Sequence, residues 1–224
     1  MTNLSTQHRN LILLATGFAA TYLFLPFAEG SIFNIVQKSS TCVVLGFVAY
    51  WAVEDPKIKK LALAALLFSS LGDAFLAVRS SDLFTFGLGS FLIAHLIYIL
   101  IFVRAKNWEP LPRLKQVGVG IIILVALGML ALLWPALGAL KAPVAIYVTA
   151  IAAMTISAMY SRYAPALAIT GAASFMISDG TIAINKFLLP FELASPLIWI
   201  TYILAQVLLT LAIIQGAGKK NTGE

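Results

Sequence analysis

The segment LFTFGLGSFLIAHLIYILIFV, residues 83–103, decides the fold. It contains no Asp, Glu, Lys or Arg over 21 residues. A helix that crosses the hydrocarbon core of a bilayer needs about 20 apolar residues. The segment is therefore predicted to be a membrane-spanning helix.

The rest of the chain has the same character. Of its 224 residues, 61% are hydrophobic and only 11% are charged, whereas a soluble domain has about 25% charged residues to wet its surface. This composition excludes an ordinary soluble protein. Including the first segment, eight stretches are long and apolar enough to span a bilayer: 10–28, 32–53, 60–78, 83–103, 116–134, 142–160, 164–187 and 194–215.

The predicted fold class is all-α, a polytopic membrane bundle of eight transmembrane helices that forms one domain over residues 1–224. Helices are favoured because backbone polar groups in lipid must bond within their own segment, and near-continuous apolar runs are unlike the alternating strands of a membrane barrel. The first segment is interpreted as a retained helix, since it is longer than a secretory signal and only Arg9 precedes it. Cys42 is the only cysteine, which excludes an intrachain disulfide, and it is expected to be a small core residue.

The basic residues predict the orientation. With eight spans, eleven of the fifteen Lys and Arg residues fall on one side, and the positive-inside rule places that side, with both termini, in the cytoplasm. Their spread over short loops suits lipid headgroups, and no nucleic acid is needed to explain it. The eleven are Arg9, Lys57, Lys59, Lys60, Arg104, Lys106, Arg113, Lys115, Arg162, Lys219 and Lys220; the opposite loops hold Arg79, Lys141 and Lys186, and Lys38 lies within a helix.

A weak internal repeat divides the chain into two halves, 10–103 and 116–215. ALLFSSLGDAFLAV (64–77) resembles AASFMISDGTIAI (172–184), which aligns Asp73 with Asp179. An offset of four helices preserves orientation, so a parallel 4+4 repeat is predicted. The two aspartates would then face each other at the same depth in the membrane.

Asp73 and Asp179 are the strongest candidates for a functional site. A charged group at membrane depth costs about 2.5–3.5 kcal/mol on insertion scales and usually faces a protein interior or a wet cavity. Ser69 and Ser70 lie on the helix face of Asp73, where they would hold its carboxylate, and Ser178 adjoins Asp179. The alternative is a structural ion pair or an interhelical hydrogen bond.

Further polar residues are predicted at the same level. His95 and Tyr98 share one face of the fourth segment, and Tyr202 and Gln206 lie one turn apart on the last; structural packing is the alternative for all four. Lys38 either extends to the interface or meets a carboxylate or a substrate phosphate. The chain lacks GxSxG, HExxH, a Gly-rich phosphate loop and a Cys/His metal set, so a carboxylate site without metal or cofactor is predicted.

These motifs resemble the YhhN family of bacterial and animal membrane proteins, which includes lysoplasmalogenase. The resemblance lies in LGDAFL (71–76), FGLGSFLIAHLIYILIF (86–102), GAASFMISDGTIAINKF (171–187) and YILAQ (202–206), and it covers most of the chain from about residue 35. One departure follows Lys38, where Ser39 stands in place of the proline that family members often carry nearby. This departure bears on the geometry of the second helix.

The resemblance implies hydrolysis of the vinyl ether bond of a lysophospholipid in a bacterial inner membrane. The products would be a fatty aldehyde and glycerophosphocholine or glycerophosphoethanolamine, with Asp73 and Asp179 as the catalytic pair. Vinyl ethers hydrolyse after protonation of the outer alkene carbon, and two carboxyl groups divide acid and base roles in a similar way in glycosidases. Burial together with a neighbouring carboxylate keeps one such group protonated near neutral pH.

Two other functions fit the same residues. Parallel repeats and charges near the midplane also occur in transporters, so transport of a small solute or lysolipid is one alternative. The other is a hydrolase that cleaves an ester or amide bond of a lysolipid. The sequence leaves open which aspartate is the acid, which headgroup is preferred and whether the protein forms oligomers.

Overall fold

The computed structural model describes residues 5–25, 27–78, 81–106, 110 and 112–217, without the side chains of Ser81 and Asp82. This part of the chain folds into eight α-helices, with two short 3₁₀ turns between the fifth and sixth. The helices are α1 (Thr6–Phe24), α2 (Ile32–Ala52), α3 (Pro56–Ala77), α4 (Ser81–Arg104), α5 (Arg113–Leu133), α6 (Lys141–Tyr160), α7 (Pro165–Phe187) and α8 (Ala194–Ala217).

Helix α3 begins four residues before the predicted segment because polar residues start it. The Asp55 carboxylate accepts hydrogen bonds from the backbone N–H groups of Lys57 (2.8 Å) and Ile58 (3.0 Å), and Pro56 occupies the first helical position. Both are standard features of a helix N-terminus. The bonds from Ile58 and Lys57 also lower the pKa of Asp55. A hydropathy pattern cannot report such a start, because the capping residues are polar.

Helix α1 is displaced toward the N-terminus from the predicted segment 10–28. It begins after Ser5, whose hydroxyl accepts a hydrogen bond from the His8 N–H at 3.2 Å, and it ends at Phe24. Leu25 leaves the helical conformation (φ −135°, ψ 62°) because the next residue in the sequence is Pro26, which disfavours α-helical geometry at the residue before it.

Seven of the eight helices, α2 to α8, are long and apolar enough to cross a membrane. Large apolar side chains are exposed on their outer faces, as on α5, where Leu114 and Leu124 are 84% and 70% exposed. A surface of this kind is stable in lipid and not in water. The predicted polytopic helix bundle is therefore confirmed. The eighth span, formed by α1, and the cytoplasmic location of both termini remain predictions.

Most helices pack against their neighbours in sequence: α2 against α3, α3 against α4, and α7 against α8. Contacts between the two predicted halves are made by α4 with α6 and by α1, α2 and α3 with α8. Helix α5 touches mainly α6, and only Ala126 and Leu133 of α5 are buried. The repeat itself remains a prediction, but these contacts bring residues of both halves into one interior.

Backbone contacts join two loops, the one between α4 and α5 and the one between α6 and α7. Lys106 and Ser161 form an isolated antiparallel bridge, and the Arg162 N–H donates to the Ala105 carbonyl at 2.9 Å. Both connections lie at the end of the bundle that is predicted to face the cytoplasm. Arg79, Lys219 and Lys220, which contribute to that prediction, lie outside the described residues.

The close approach of α7 and α8 depends on Gly171. A Cβ atom at this position would lie 3.0 Å from the Leu209 Cγ and 3.1 Å from the Leu209 backbone nitrogen. We expect Gly171→Ala to lower the free energy of unfolding by about 1–3 kcal/mol, the usual cost of overpacking a core, measured as a lower melting temperature in detergent. Gly120→Ala is the matched control, because no atom lies within 4 Å of a Cβ there. Equal melting temperatures for the two variants would contradict the proposed packing role of Gly171.

Candidate active site

Asp73 is buried near the end of α3 and is held by the last helix. Its side chain is 6% exposed, and its Oδ2 atom accepts a hydrogen bond from the Tyr202 hydroxyl at 2.7 Å. The Cys42 Sγ lies 3.2 Å from the same hydroxyl. The Asp73 group thus consists of one residue each from α3, α8 and α2.

Asp179 has a corresponding set of neighbours. Its side chain is 9% exposed, and its Oδ2 atom accepts a hydrogen bond from the Tyr147 hydroxyl at 2.6 Å. The Nε2 atom of the fully buried His95 lies 3.7 Å from the same oxygen. The Asp179 group therefore consists of one residue each from α7, α6 and α4.

The two groups correspond when the helices are compared by their order in the predicted halves. Asp73 and Asp179 lie on the third helix of each half, and each meets the fourth helix of the opposite half, through Tyr202 and His95 respectively. Cys42 and Tyr147 come from the second helix of each half. The arrangement brings both predicted aspartates into one interior, each fixed by residues of both halves.

An aromatic layer lies between the two groups. Phe175 packs edge-on against His95 and Tyr202, with ring centroids 4.7 Å and 5.5 Å apart, and Phe91 packs edge-on against Phe175 and Tyr202. Gly72 makes room for Phe91, because a Cβ there would lie 2.5 Å from the Phe91 Cε2. The Tyr202 phenol, which donates to Asp73, and the His95 imidazole, which lies beside Asp179, therefore both pack against the Phe175 ring.

His95 is fully buried, yet neither ring nitrogen has a hydrogen-bond partner among the described residues. Leaving such a group unpaired costs about 1–3 kcal/mol, and a buried water is the usual partner where protein groups are absent. The position beside Asp179 therefore has the polar groups needed to hold a water molecule.

A second buried polar layer lies on α4 and α8, one helical turn from His95 and Tyr202. The Tyr98 hydroxyl donates to the Gln206 Oε1 at 2.8 Å, which joins α4 to α8. The Gln206 Nε2 and the Thr210 hydroxyl have no partner among the described residues. Tyr98 and Gln206 thus belong to the polar interior, but they do not contact either carboxylate through a described hydrogen bond.

An apolar groove reaches Asp179 from the lipid-facing side of the bundle. The groove is narrow, with a volume of about 80 Å³. Apart from Asp179 and Tyr147 it is lined by apolar residues of α3 to α7: Leu76, Phe84, Leu88, Phe91, Val125, Ala126, Met129, Val144, Val148, Ile151, Met176, Gly180, Ile182, Ala183 and Phe187. Asp73 is not among them. The groove presents one carboxylate to a hydrocarbon chain.

A larger cavity of about 520 Å³ adjoins the groove at the end of the bundle where α3 and α7 terminate. The two share Leu76, Phe84 and Ile182. We call it the two-lysine cavity, because Lys38 and Lys186 both line it. Lys38 was predicted as a candidate ligand for phosphate, and the structure places it here.

The predicted serines have other partners. Ser178 donates to the Ile198 carbonyl at 3.1 Å and so connects α7 to α8, and Ser70 donates to the Ser39 carbonyl at 2.9 Å. Ser69 is fully buried, and its hydroxyl has no partner among the described residues. No hydrogen bond described for these three serines reaches Asp73 or Asp179.

Two members of the site were not predicted as such. Tyr147 is one of several aromatic residues in an apolar helix, and Cys42 was expected only to fill core space, which it also does. The repeat offset offered a weak signal, since Asp73 and Asp179 are 106 positions apart and Cys42 and Tyr147 are 105 apart. Within the described ranges, no three His, Cys, Asp or Glu side chains are placed to hold a metal ion.

The fold and the site define an integral, multi-pass helical membrane protein with two buried carboxyl groups in its interior. The model of the YhhN family matches residues 33–213, and the chain belongs to this family. The resemblance drawn from the sequence motifs is thereby confirmed.

Curated relatives of this chain carry the name lysoplasmalogenase. The protein of that name from Mycobacterium bovis (strain ATCC BAA-935 / AF2122/97) is 31% identical over 205 residues, which covers 88% of this chain and 78% of the relative. Lysoplasmalogenase TMEM86A from Homo sapiens is 35% identical over 160 residues, covering 67% of this chain and 63% of that protein. No solved structure matches the chain significantly.

Tyr202 is expected to stabilise the fold through its bond to Asp73. Tyr202→Phe removes the hydroxyl that donates to this buried carboxyl group at 2.7 Å, and we expect a loss of about 1–3 kcal/mol in the free energy of unfolding, measured by thermal unfolding in detergent. Tyr160→Phe is a suitable control, because Tyr160 lies at the end of α6 beside Lys106. If both variants melt at the wild-type temperature, the hydrogen bond to Asp73 contributes nothing to stability.

Proposed function

We propose that the chain is an integral membrane lysoplasmalogenase that hydrolyses the vinyl ether bond of a lysophospholipid. The products are a fatty aldehyde and the glycerophospholipid headgroup, glycerophosphocholine or glycerophosphoethanolamine. The observation that carries the proposal is a buried carboxyl group, Asp179, that lines an apolar groove. Membership of the YhhN family and the names of the relatives support it.

The reaction requires a proton at carbon and a water molecule. Protonation of the outer alkene carbon converts the C=C–O unit into an oxocarbenium ion. Water adds to the carbon that bears oxygen and loses a proton, which gives a hemiacetal. The hemiacetal then collapses into an aldehyde and the free glycerol hydroxyl, so one water is consumed and the acid is regenerated. A pair of carboxyl groups, one protonated and one ionised, supplies each of these proton transfers.

Asp179 is the carboxyl group proposed to meet the alkene. It lines the groove, whereas Asp73 does not. The Tyr147 hydroxyl donates to one Asp179 oxygen, which leaves the other oxygen for a proton. Asp73 is proposed to provide negative charge near the cationic intermediate and to accept a proton from water, directly or through Tyr202.

His95 is proposed to position the attacking water. Both of its ring nitrogens lack a partner among the described residues, and one lies 3.7 Å from the Asp179 carboxylate. Water bound there would be adjacent to the reacting bond. A hydrolase needs such a held water because the surrounding groove is apolar and the bilayer supplies none.

The groove suits a substrate with a single hydrocarbon chain. Its outer wall includes Val125, Ala126 and Met129 of α5, the helix with the fewest buried residues. A lysolipid can enter sideways from the bilayer with its chain leading toward Asp179, whereas a second chain would compete for a narrow space. The location proposed for the protein, the cytoplasmic membrane of a bacterium, is supported by the mycobacterial relatives.

Aldehyde release by the purified protein in detergent tests the activity. We expect aldehyde from lysoplasmalogen, and no fatty acid from ester-linked lysophosphatidylcholine or from diacyl phosphatidylcholine. In D₂O, with immediate borohydride reduction, the resulting alcohol should carry one deuterium at carbon 2, because the alkene is protonated at carbon. Solute flux across proteoliposomes without aldehyde would favour a transporter, and fatty acid release would favour an ester hydrolase. Either result contradicts the proposal.

Replacement of the aspartates tests the site. Asp179→Asn and Asp73→Asn each remove an ionisable proton, and we expect kcat to fall by about 10²–10⁴-fold, the usual contribution of acid–base catalysis. His95→Ala is expected to reduce kcat less. Asp55→Asn is the matched control, because Asp55 caps α3 at the far end of that helix. Near-normal turnover by Asp179→Asn, in a variant that remains folded, would exclude the proposed role.

A further inference from the structure

The two-lysine cavity carries a positive charge at the polar end of the bundle. Lys38 comes from α2 in the first predicted half and Lys186 from α7 in the second. None of the described residues that line the cavity is acidic. Such a cavity attracts an anionic group, and lysine is a common phosphate ligand in proteins.

The lysine ammonium groups are held over aromatic rings. The Lys38 Nζ lies 4.7 Å from the centroid of Tyr22, and the Lys186 Nζ lies 5.0 Å from that of Phe84. Cation–π contacts of this kind position an ammonium group without neutralising its charge. Neither lysine meets an acidic residue in the cavity lining, although the charge of Lys38 also acts on Asp73.

The cavity wall is fixed by hydrogen bonds. The Tyr22 hydroxyl lies 3.1 Å from the Ser195 Oγ, and the Trp199 Nε1 donates to the Ala19 carbonyl at 2.8 Å. The Asn185 Oδ1 accepts from the Phe191 N–H at 3.1 Å, which ties the α7–α8 connection to the end of α7. A preformed wall lowers the entropic cost of binding.

The position of the cavity relative to Asp179 matches the dimensions of a lysophospholipid. Seven residues of α7 separate Asp179 from Lys186, which is about 10 Å along the helix. In a lysoplasmalogen, six bonds near 1.5 Å separate phosphorus from the ether-bearing alkene carbon, which is roughly 7 Å when extended. A lysine side chain spans the remaining distance, and the cavity and the groove share Leu76, Phe84 and Ile182.

We infer that the two-lysine cavity binds the phosphate of the lysophospholipid and sets the depth at which its vinyl ether meets Asp179. Lys38 and Lys186 are the phosphate ligands, and the chain continues into the apolar groove. The protein therefore selects single-chain lipids that carry a phosphate over neutral lipids with the same chain. This inference rests on the proposed function for the identity of the reacting bond, but the binding of phosphate can be measured without turnover.

Binding of two saturated ether lipids tests the inference independently of catalysis. The probes are 1-O-alkyl-glycerophosphoethanolamine and 1-O-alkylglycerol of equal chain length, neither of which contains a vinyl ether. Affinity is measured by thermal shift or by microscale thermophoresis of the full chain in detergent. We expect Lys38→Gln and Lys186→Gln each to weaken binding of the phosphate-containing probe by about tenfold, the loss of one charge-assisted contact. Binding of the neutral probe should not change.

Three controls complete the experiment. Lys141→Gln removes a lysine from the start of α6, where it packs over Trp134 and does not line the cavity, and it should bind both probes normally. Lys38→Arg and Lys186→Arg keep the charge and should recover part of the affinity. A diacyl phosphatidylethanolamine arm should bind more weakly than the single-chain probe; equal binding would indicate a general headgroup site for bilayer lipids and overturn the proposed selection.

The outcomes separate this inference from the proposed activity. Unchanged affinity of both glutamine variants for the phosphate-containing probe would overturn the phosphate site. An equal loss for both probes would assign the lysines a structural role and would also overturn it. Absence of aldehyde from wild-type protein would contradict the activity alone. With active protein, the glutamine variants should raise KM for lysoplasmalogen about tenfold, and Lys141→Gln should leave it unchanged.

Discussion

The burial of two carboxyl groups inside a lipid-embedded bundle is the constraint on which the rest of this structure depends. An unpaired carboxylate at that depth is costly, so each aspartate needs a donor from a neighbouring helix. Tyr202 supplies it for Asp73 and Tyr147 for Asp179. The Tyr202 bond joins α8 to α3 and so also fixes how the two predicted halves meet, whereas the Tyr147 bond ties α6 to α7 within the second half.

The same packing creates an asymmetry between two otherwise corresponding groups. Phe91 packs against Gly72, the residue before Asp73, and Asp179 lines the apolar groove whereas Asp73 does not. The peripheral position of α5 keeps the groove next to lipid, and the helix ends beyond it carry the two lysines. The groove would therefore surround the hydrocarbon chain of a lysolipid with apolar side chains. Its reacting bond would lie beside Asp179, and its anionic headgroup would lie beside the two lysines.

The membrane class and the main polar residues could be predicted because both follow from local composition. Long apolar runs specify spans, and charged residues within them are rare enough to be noticed, so Asp73, Asp179, Lys38 and His95 were identified without coordinates. Helix starts were predicted less accurately. Helix α3, for example, begins at Asp55 and Pro56, which lie outside the apolar run. Tyr147 and Cys42 were missed as site residues because tyrosine and cysteine are unremarkable in an apolar helix.

The sequence by itself determined that this chain belongs in a bilayer, that it forms long helices, and which ionisable groups those helices carry into the hydrocarbon. These properties depend on residues near one another in the chain. Only the tertiary structure decided which aspartate faces the groove, which tyrosine serves each carboxylate, and that Lys38 and Lys186 share a cavity. Tyr147 and Asp179 are 32 positions apart, and the other two pairs are more than a hundred apart. All of these relations arise from how helix surfaces pack, which no local pattern specifies.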